Sequence, residues 1–341
     1  MQRIRQLDGV RALAILMVFF HHALGAKLMW MGVDLFFILS GFLITGILLN
    51  ARQESLRSYF AHFYSRRARR ILPPYVLTLL IASLFFGFAW AQHWYLYILL
   101  TNLLGPLQIP HPKAFGPLWS LAVEEQFYLA WPFAVYFLSE RRLAQLAVGL
   151  VGLAPVLRAV AHFPDYTGVY NLPFFRMDLL ALGALLCLVY RRRQSQIESQ
   201  GAKFGLLFTV LGLVGLLMLA RCGVMTTANT RIGNVWIFEC SLCACFGIIL
   251  WALSGRHAGI LKSTPLVYLG RISYSMYLVH VGVLEVASGL HLARLETAAI
   301  ALATIVGYSS LSWFLMEKPM LTGMTWSRPR FLPQRTRRAA A

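Results

Sequence analysis

Carboxylates are scarce in this chain: 13 Asp and Glu stand against 31 Lys and Arg, for a formal net charge of +18. Charged residues of both signs make up only 13% of the 341 residues, about half the share of a typical soluble domain. No soluble domain, low-complexity tract or sequence repeat is visible. The five cysteines build no disulfide framework, because Cys187, Cys240, Cys243 and Cys245 lie in apolar segments and Cys222 has only another chain to pair with. Cys240, Cys243 and Cys245 beside Glu239 do not form a metal site either: helical spacing sets Cys243 and Cys245 about 200° apart, and no His is near. No metal is expected.

What fills the chain instead is apolar sequence. Hydrophobic residues are 58% of it, and the mean hydropathy is +0.64. The expected fold is all-α, a polytopic integral membrane protein of about ten transmembrane helices. The spans are placed at Leu7–Ala26, Gly32–Asn50, Pro73–Ala91, Leu118–Leu138, Leu143–Ala161, Phe174–Tyr190, Phe204–Ala220, Val235–Leu253, Leu266–Val286 and Thr297–Met316. They form a transmembrane domain over residues 1–320, followed by a basic tail at 321–341.

The basic residues sit in clusters between these spans, so they orient the protein in a bilayer and do not mark a nucleic-acid surface. With the N-terminus inside, Arg3/Arg5, Arg66 to Arg70, Arg141/Arg142, Arg191 to Arg193, Arg256/Lys262 and Arg328 to Arg338 all fall on the cytoplasmic side. The outer side keeps Lys27, Lys113, Arg158, Arg176, Arg221, Arg231 and Arg294. Both termini are thus expected in the cytoplasm, and a bacterial inner membrane is the expected location. His93–Leu104 is apolar but too short to span, which suggests an interfacial or re-entrant helix on the outer side. The first span resembles a secretory signal, but Asp8 and Arg11 at its start and His21/His22 at its end favour a retained anchor.

Ionisable residues within spans are expensive, roughly 2.5 to 3.5 kcal/mol each on the permissive insertion scale, and they therefore face inward. Asp8, Arg11 and His22 fall on one stripe of the first helix: eleven residues leave an offset of about 20° and a rise of about 16 Å. His21 points about 100° away. Asp34 opens the second span a short turn after His22, at matching depth, and is expected to pair with it. Glu124 and Glu125 enter the fourth span at its outer end, as Arg176 and Asp178 enter the sixth. In the ninth, Arg271 lies at the inner end, with Tyr274, Tyr277 and His280 progressively farther out. Two functions use such residues. A proton-coupled transporter would relay protons along them, with inverted repeats, of which none is visible. An acyl or glycosyl transferase needs a base, an oriented partner and separate access for an inner donor and an outer acceptor.

The chain resembles the membrane acyltransferase 3 family. The resemblance runs through LDGVRALAILMVFFHH, GVDLFFILSGFLITGIL, FYSRRARRILPPY, GPLWSLAVEEQFYLAWP, FFRMDLLALGALL, LGRISYSMYLVH and the closing MEKP, in the family's order from residue 6 to about residue 320. It implies some ten transmembrane helices and transfer of an acyl group, usually acetyl, from cytoplasmic acyl-CoA to a surface carbohydrate. It also implies that Arg11 and His22 are linked to activity and that Arg66, Arg67 and Arg70 serve the inner side. Some members carry an extracytoplasmic hydrolase-like domain, so delivery to the acceptor here is expected to be direct or to use a separate partner.

The expectation is therefore an integral-membrane O-acyltransferase that uses acyl-CoA, most simply acetyl-CoA, as donor substrate and holds no permanent cofactor. Arg67 and Arg70, with Asp8 and Arg11 beside them, are expected to receive the donor. His22, oriented by Asp34, is expected to act as base or transient acyl acceptor. Glu124 is the second catalytic candidate. Glu125, Arg176, Tyr274 and His280 are assigned to substrate, with a carbohydrate or lipid-linked glycan as acceptor.

Overall fold

The computed structural model describes residues 4–224 and 229–322, and all regular structure among them is helical. Arg3 and the tail from residue 323 onward, with its Arg328 to Arg338 cluster, lie outside the described residues. Helix α1 spans Arg5–Leu24, α2 Gly32–Ala51, α3 Leu56–Phe86, α4 Leu118–Phe137 and α5 Glu140–Val160. The short α6 (Thr167–Asn171) precedes α7 (Met177–Arg221), α8 (Arg231–Ser254), α9 (Thr264–Ser288) and α10 (Arg294–Ser312). A single π turn at Trp313–Glu317 leads into α11 (Lys318–Thr322). The ends are set by local chemistry: Ser55, Ser139 and Thr230 accept hydrogen bonds from the backbone N–H groups of Ser58, Arg142 and Gly233. Gly25 and Gly255 close α1 and α8 in the left-handed region, at φ 66° and 68°.

Among the described residues seven helices are long and apolar enough to cross a membrane, so the chain is an integral membrane protein. Helices α4 and α9 also match expected spans in length, 20 and 25 residues. They fall short in apolarity because α4 carries Glu124, Glu125 and Gln126 while α9 carries Arg271, His280 and Glu285. The expected spans at 174–190 and 204–220 share α7, which leaves helical geometry at Arg193 (φ −131°, ψ 38°) and turns back on itself there. The reversal follows from the neighbours of α8: Asp178, before Arg193, shares Arg158 with Glu239, and Gly215, past it, packs against Cys240. Between Gly87 and Pro117 the chain makes short 3-10 turns at Ala89–Tyr97, Thr101–Leu103 and Lys113–Phe115 and no continuous helix.

Helix α2 is the centre of the bundle. Fourteen of its residues are buried, Asp34 and Thr45 among them. It lies against α7 backbone to backbone, since a Cβ on Gly41 would overlap the Leu180 carbonyl and one on Gly183 the Ile38 carbonyl. Helices α1 and α9 approach as closely, at Gly270 and the Asp8 carbonyl. Small residues at such crossings substitute for the absent hydrophobic drive between helices in lipid. The bundle has two ends: a terminal end, where α1 starts and α2 meets α3, and a loop end, formed by the α1–α2 turn, residues 87–117 and α6.

Candidate active site

At the terminal end, Arg11 of α1, Arg67 and Arg70 of α3 and Arg271 of α9 line one cavity of about 440 Å³, together with Asp8 and Asn50. Arg271 arrives there because Gly270 lets α9 lie on the backbone of α1. Arg11, Arg67 and Arg70 continue into a narrower central cavity of about 90 Å³, bounded by Ser40, Ser120, Glu124, Tyr128, Tyr274 and Tyr277. Across the two cavities, four arginines face two carboxylates, Asp8 and Glu124. Glu124 accepts from the hydroxyls of Ser40 (2.7 Å) and Tyr128 (3.2 Å). The Arg67 guanidinium lies 4.2 Å from the Tyr128 ring centroid, and its Nε is buried without a hydrogen-bond partner. A guanidinium stacked on an aromatic face keeps its in-plane donors free for an anion.

The loop end holds a second cavity, of about 580 Å³, lined by His21, His22, Trp30, Thr101, His111, Lys113, Trp119, Tyr166, Tyr170 and Asn171 among others. His22 is exposed within it. Its Nδ1 lies 2.9 Å from the Val18 carbonyl, which can only accept, so Nδ1 carries the proton and Nε2 keeps a lone pair. His280 of α9 is held likewise by the Tyr277 carbonyl at 2.6 Å, and its ring packs edge-on against His22 at 5.0 Å between centroids. His280 Nε2 is buried without a partner. Between the central and outer cavities stands Tyr277: its hydroxyl meets Ser120 Oγ (2.6 Å) and the Pro117 carbonyl (3.1 Å), and its ring lies 5.3 Å from that of His280. Val33 lines both cavities.

The expected pairing of His22 with Asp34 does not occur. Asp34 is completely buried, ion-paired to Arg176 and accepting from Ser241 Oγ at 2.6 Å. A carboxylate at that depth takes the one cation that reaches it, and Arg176 comes from the start of α7 against α2. Arg176 is completely buried, with its guanidinium 4.5 Å from the Phe238 ring centroid and 5.2 Å from that of Tyr170, and its Nε and Nη1 have no hydrogen-bond partner among the described residues. Asp178 pairs instead with Arg158 (2.7 Å), which also holds Glu239 (2.5 Å) and the Phe175 carbonyl. Glu124 is not beside His22 either, since it lines the central cavity. Glu125, one residue on and about 100° around the helix, is outside that lining, and its Oε1 has no partner. Tyr274 lines the central cavity and donates to the Ile71 carbonyl at 3.0 Å. Arg11 and His22 both turn inward from α1 but open into different cavities.

Over residues 4–316 the chain matches the family model of the acyltransferase 3 family, described as an acyltransferase domain. The chain belongs to the acyltransferase 3 family. The peptidoglycan O-acetyltransferase OatA of Listeria monocytogenes is 30% identical over 80% of this chain and 48% of its own length. YrhL of Bacillus subtilis is 30% identical over 93% of this chain and 54% of its own length. The O-acetyltransferase OatA of Staphylococcus aureus is 28% identical over 80% and 49%. The chain thus spans about half the length of these relatives. No solved structure matches.

Membership of the acyltransferase 3 family gives the proton-coupled transporter reading no support. The structure agrees locally: Asp34 is held by Arg176 and Ser241, and Glu124 lies in another cavity from His22, so they form no chain with it. Three features of the site were not singled out from the sequence. Arg271 joins the arginine cavity, Tyr277 with Ser120 separates the cavities, and the aromatic side chains of Trp30, Trp119 and Tyr170 wall the outer one. Arg271 and Tyr277 were legible as polar residues in an apolar segment, but their convergence depends on how α9 meets α1 and α4.

Proposed function

We propose that this protein transfers an acyl group, most simply acetyl, from acyl-CoA on the cytoplasmic side to a hydroxyl of an extracytoplasmic or lipid-linked carbohydrate. The observation that carries this reading is that one helix, α1, supplies an arginine to a basic cavity at one end and an exposed base to an aromatic cavity at the other. The terminal end is read as cytoplasmic, with ten crossings, both termini inside and a bacterial inner membrane. In a Cys-free background, a cysteine at Gln53 is then labelled from the cytoplasm and one at Lys113 from outside.

The phosphates of the donor are charged and stay at the terminal end, held by Arg67, Arg70, Arg11 and Arg271 through charge-assisted hydrogen bonds. A central cavity of about 90 Å³ admits an extended chain but no nucleotide, so only the pantetheine arm and the uncharged acyl end enter. The rise of about 16 Å from Arg11 to His22 is the distance that arm has to cover. At the loop end, His22 Nε2 takes the proton of the acceptor hydroxyl as its oxygen attacks the thioester carbonyl. The C–S bond breaks, and the departing thiolate is protonated from the imidazolium. The Val18 carbonyl fills the orienting role expected of Asp34. Transfer through a transient acyl-histidine uses the same Nε2 and the same cavities.

The test is an acyl-CoA assay on the purified protein in detergent, scoring CoA release and acyl transfer to candidate glycans. His22→Ala is expected to lower transfer by at least about 100-fold, the lower end of what a general base contributes, while leaving the protein inserted and monodisperse. Wild-type transfer by a folded His22→Ala protein removes His22 from the reaction. Absence of CoA release in the wild type removes the donor assignment.

A further inference from the structure

The outer cavity is unusual in its charge. Its basic side chains are His21, His22, His111 and Lys113, and no carboxylate lines it among the described residues. The acids nearest in sequence to the lining, Asp34 and Asp165, are both consumed: Asp34 by Arg176 and Ser241, and Asp165 by accepting from the backbone N–H (2.8 Å) and the hydroxyl (2.5 Å) of Thr167. Lys113 is exposed on the rim, and among the described residues no ion pair or hydrogen bond to a protein group holds its ammonium. This contrasts with the arginine cavity and the central cavity, where Asp8 and Glu124 respectively partly balance the cations. In the same lining, Trp119 and Tyr170 pack ring to ring at 4.9 Å and Trp30 joins them at 6.1 Å from Tyr170, making a continuous aromatic wall. Such a wall suits the C–H face of a pyranose, with Asn171 and Thr101 supplying hydrogen-bonding groups to hydroxyls.

We infer that the acceptor is a saccharide bearing an anionic group, a carboxylate on the sugar or a phosphate at its anomeric end, and that Lys113 is the residue that selects the anion. The inference rests on the transferase reading above and adds the acceptor's charge to it. A neutral glycan gives the Lys113 ammonium nothing to exchange for its water, whereas an anion gains a charge-assisted hydrogen bond in a cavity where no acid repels it. With the sugar ring on the aromatic wall and its anion at Lys113, a ring hydroxyl is directed toward His22. Lys113 positions the acceptor and takes no part in proton transfer.

The experiment uses the full chain in detergent with acetyl-CoA and two arms of matched acceptors. One arm compares oligoglucuronate and oligogalacturonate with their methyl esters; the other compares hexose 1-phosphates with the free hexoses. The charged members of at least one arm are expected to show a KM about tenfold lower, the equivalent of one charge-assisted hydrogen bond, and the responding arm identifies the anion. Lys113→Gln is expected to bring the charged-to-neutral KM ratio to about one, and Lys113→Arg to restore it; a melting profile checks that each variant is folded. Equal use of charged and neutral members in both arms, acceptance of none of them, or a ratio that survives Lys113→Gln overturns the inference. CoA release without acceptor is followed in parallel: if it is absent in the wild type the transferase reading itself fails, and if it is present without anion preference only the acceptor assignment fails.

Discussion

Arg158 and Arg176 lie completely buried around the start of α7 and are tied to Asp178, Glu239 and Asp34, whereas Arg11, Arg67, Arg70 and Arg271 line open cavities with two carboxylates among them. The residue type is the same and the surrounding helices are equally apolar. What differs is the balance of charge: Asp34, Asp178 and Glu239 outnumber the two buried arginines, whereas Asp8 and Glu124 are outnumbered by the four arginines that line the cavities. In the first set the charges are spent on fixing helix positions; in the second, cationic charge is left over for a ligand. Counting arginines in spans therefore says little about a site until their carboxylates have been located.

The contrast is broken most severely by removing one partner of the buried set. Asp34→Asn is expected to destabilise the bundle by about 3–5 kcal/mol, because it strands Arg176 among Phe238, Tyr170 and Phe37. Thermal unfolding in detergent measures this. The double change Asp34→Leu/Arg176→Met removes both charges and is expected to recover most of that loss. A milder Asp34→Asn than double mutant would show that the Asp34 charge is not what holds Arg176 in place.

Arg67→Ala/Arg70→Ala tests the other set. It is expected to leave the unfolding temperature close to wild type and to weaken acetyl-CoA binding by about 10- to 100-fold, roughly 1.4 to 2.8 kcal/mol for two lost phosphate partners. The difference is expected to shrink at high salt, where the wild type itself binds less tightly. Calorimetry at two salt concentrations reads both effects, and equal affinities at low salt would leave these arginines as topology signals.

Tyr277→Phe sharpens the boundary between the two cavities. It keeps the ring between Phe36 and His280 but deletes the hydroxyl contacts to Ser120 and Pro117, together worth about 1–3 kcal/mol at about 0.5–1.5 kcal/mol each. If those contacts hold the passage shut at rest, the variant hydrolyses acetyl-CoA faster in the absence of acceptor. Unchanged hydrolysis assigns Tyr277 to packing alone.

The smallest effect is expected outside the spans, at Glu54 between α2 and α3. The Ser58 hydroxyl and then His62 hold its carboxyl below the usual carboxylate range. Its contribution is therefore present above the ordinary carboxylate pKa and lost as pH falls through the depressed one. Because the group is exposed, Glu54→Gln is expected to leave the melting temperature unchanged at pH 7 and to flatten only the acid limb of its pH profile.

The apolar segments and their basic punctuation were readable from residue order because each is a local property of about twenty residues. The inward stripe of α1 was readable for the same reason: Asp8, Arg11 and His22 share a helix, and helical geometry fixes their faces. Partners from other helices were not. Asp34 follows His22 by twelve residues and opens the next helix, which made it the natural partner, yet it is claimed by Arg176, 142 residues away in sequence. Rotation about the helix axis was not legible, and it decides whether Asp34 faces α1 or α7; nor was the depth of Glu124, which was expected at the outer end and lines the central cavity with Arg11, Arg67 and Arg70. The Arg193 reversal was legible through the flanking Arg191 and Arg192, whereas the Gly270 crossing that brings Arg271 to Arg11 has no signature in residue order.

The Asp34–Arg176 pair also sets a timetable for the ribosome. At a synthesis rate of about 5–20 residues per second, the 142 residues between the partners take roughly 7 to 28 s to be made. Throughout that interval α2 has to enter the bilayer with the carboxyl group of its first turn unmatched, at a cost below the roughly 2.5–3.5 kcal/mol of a charged residue at the helix centre. The helix tolerates it because Asp34 is the one charged residue in α2. The nascent protein accordingly carries an acidic α2 that waits for α7, so the bundle closes around its central helix only after more than half the chain has been translated.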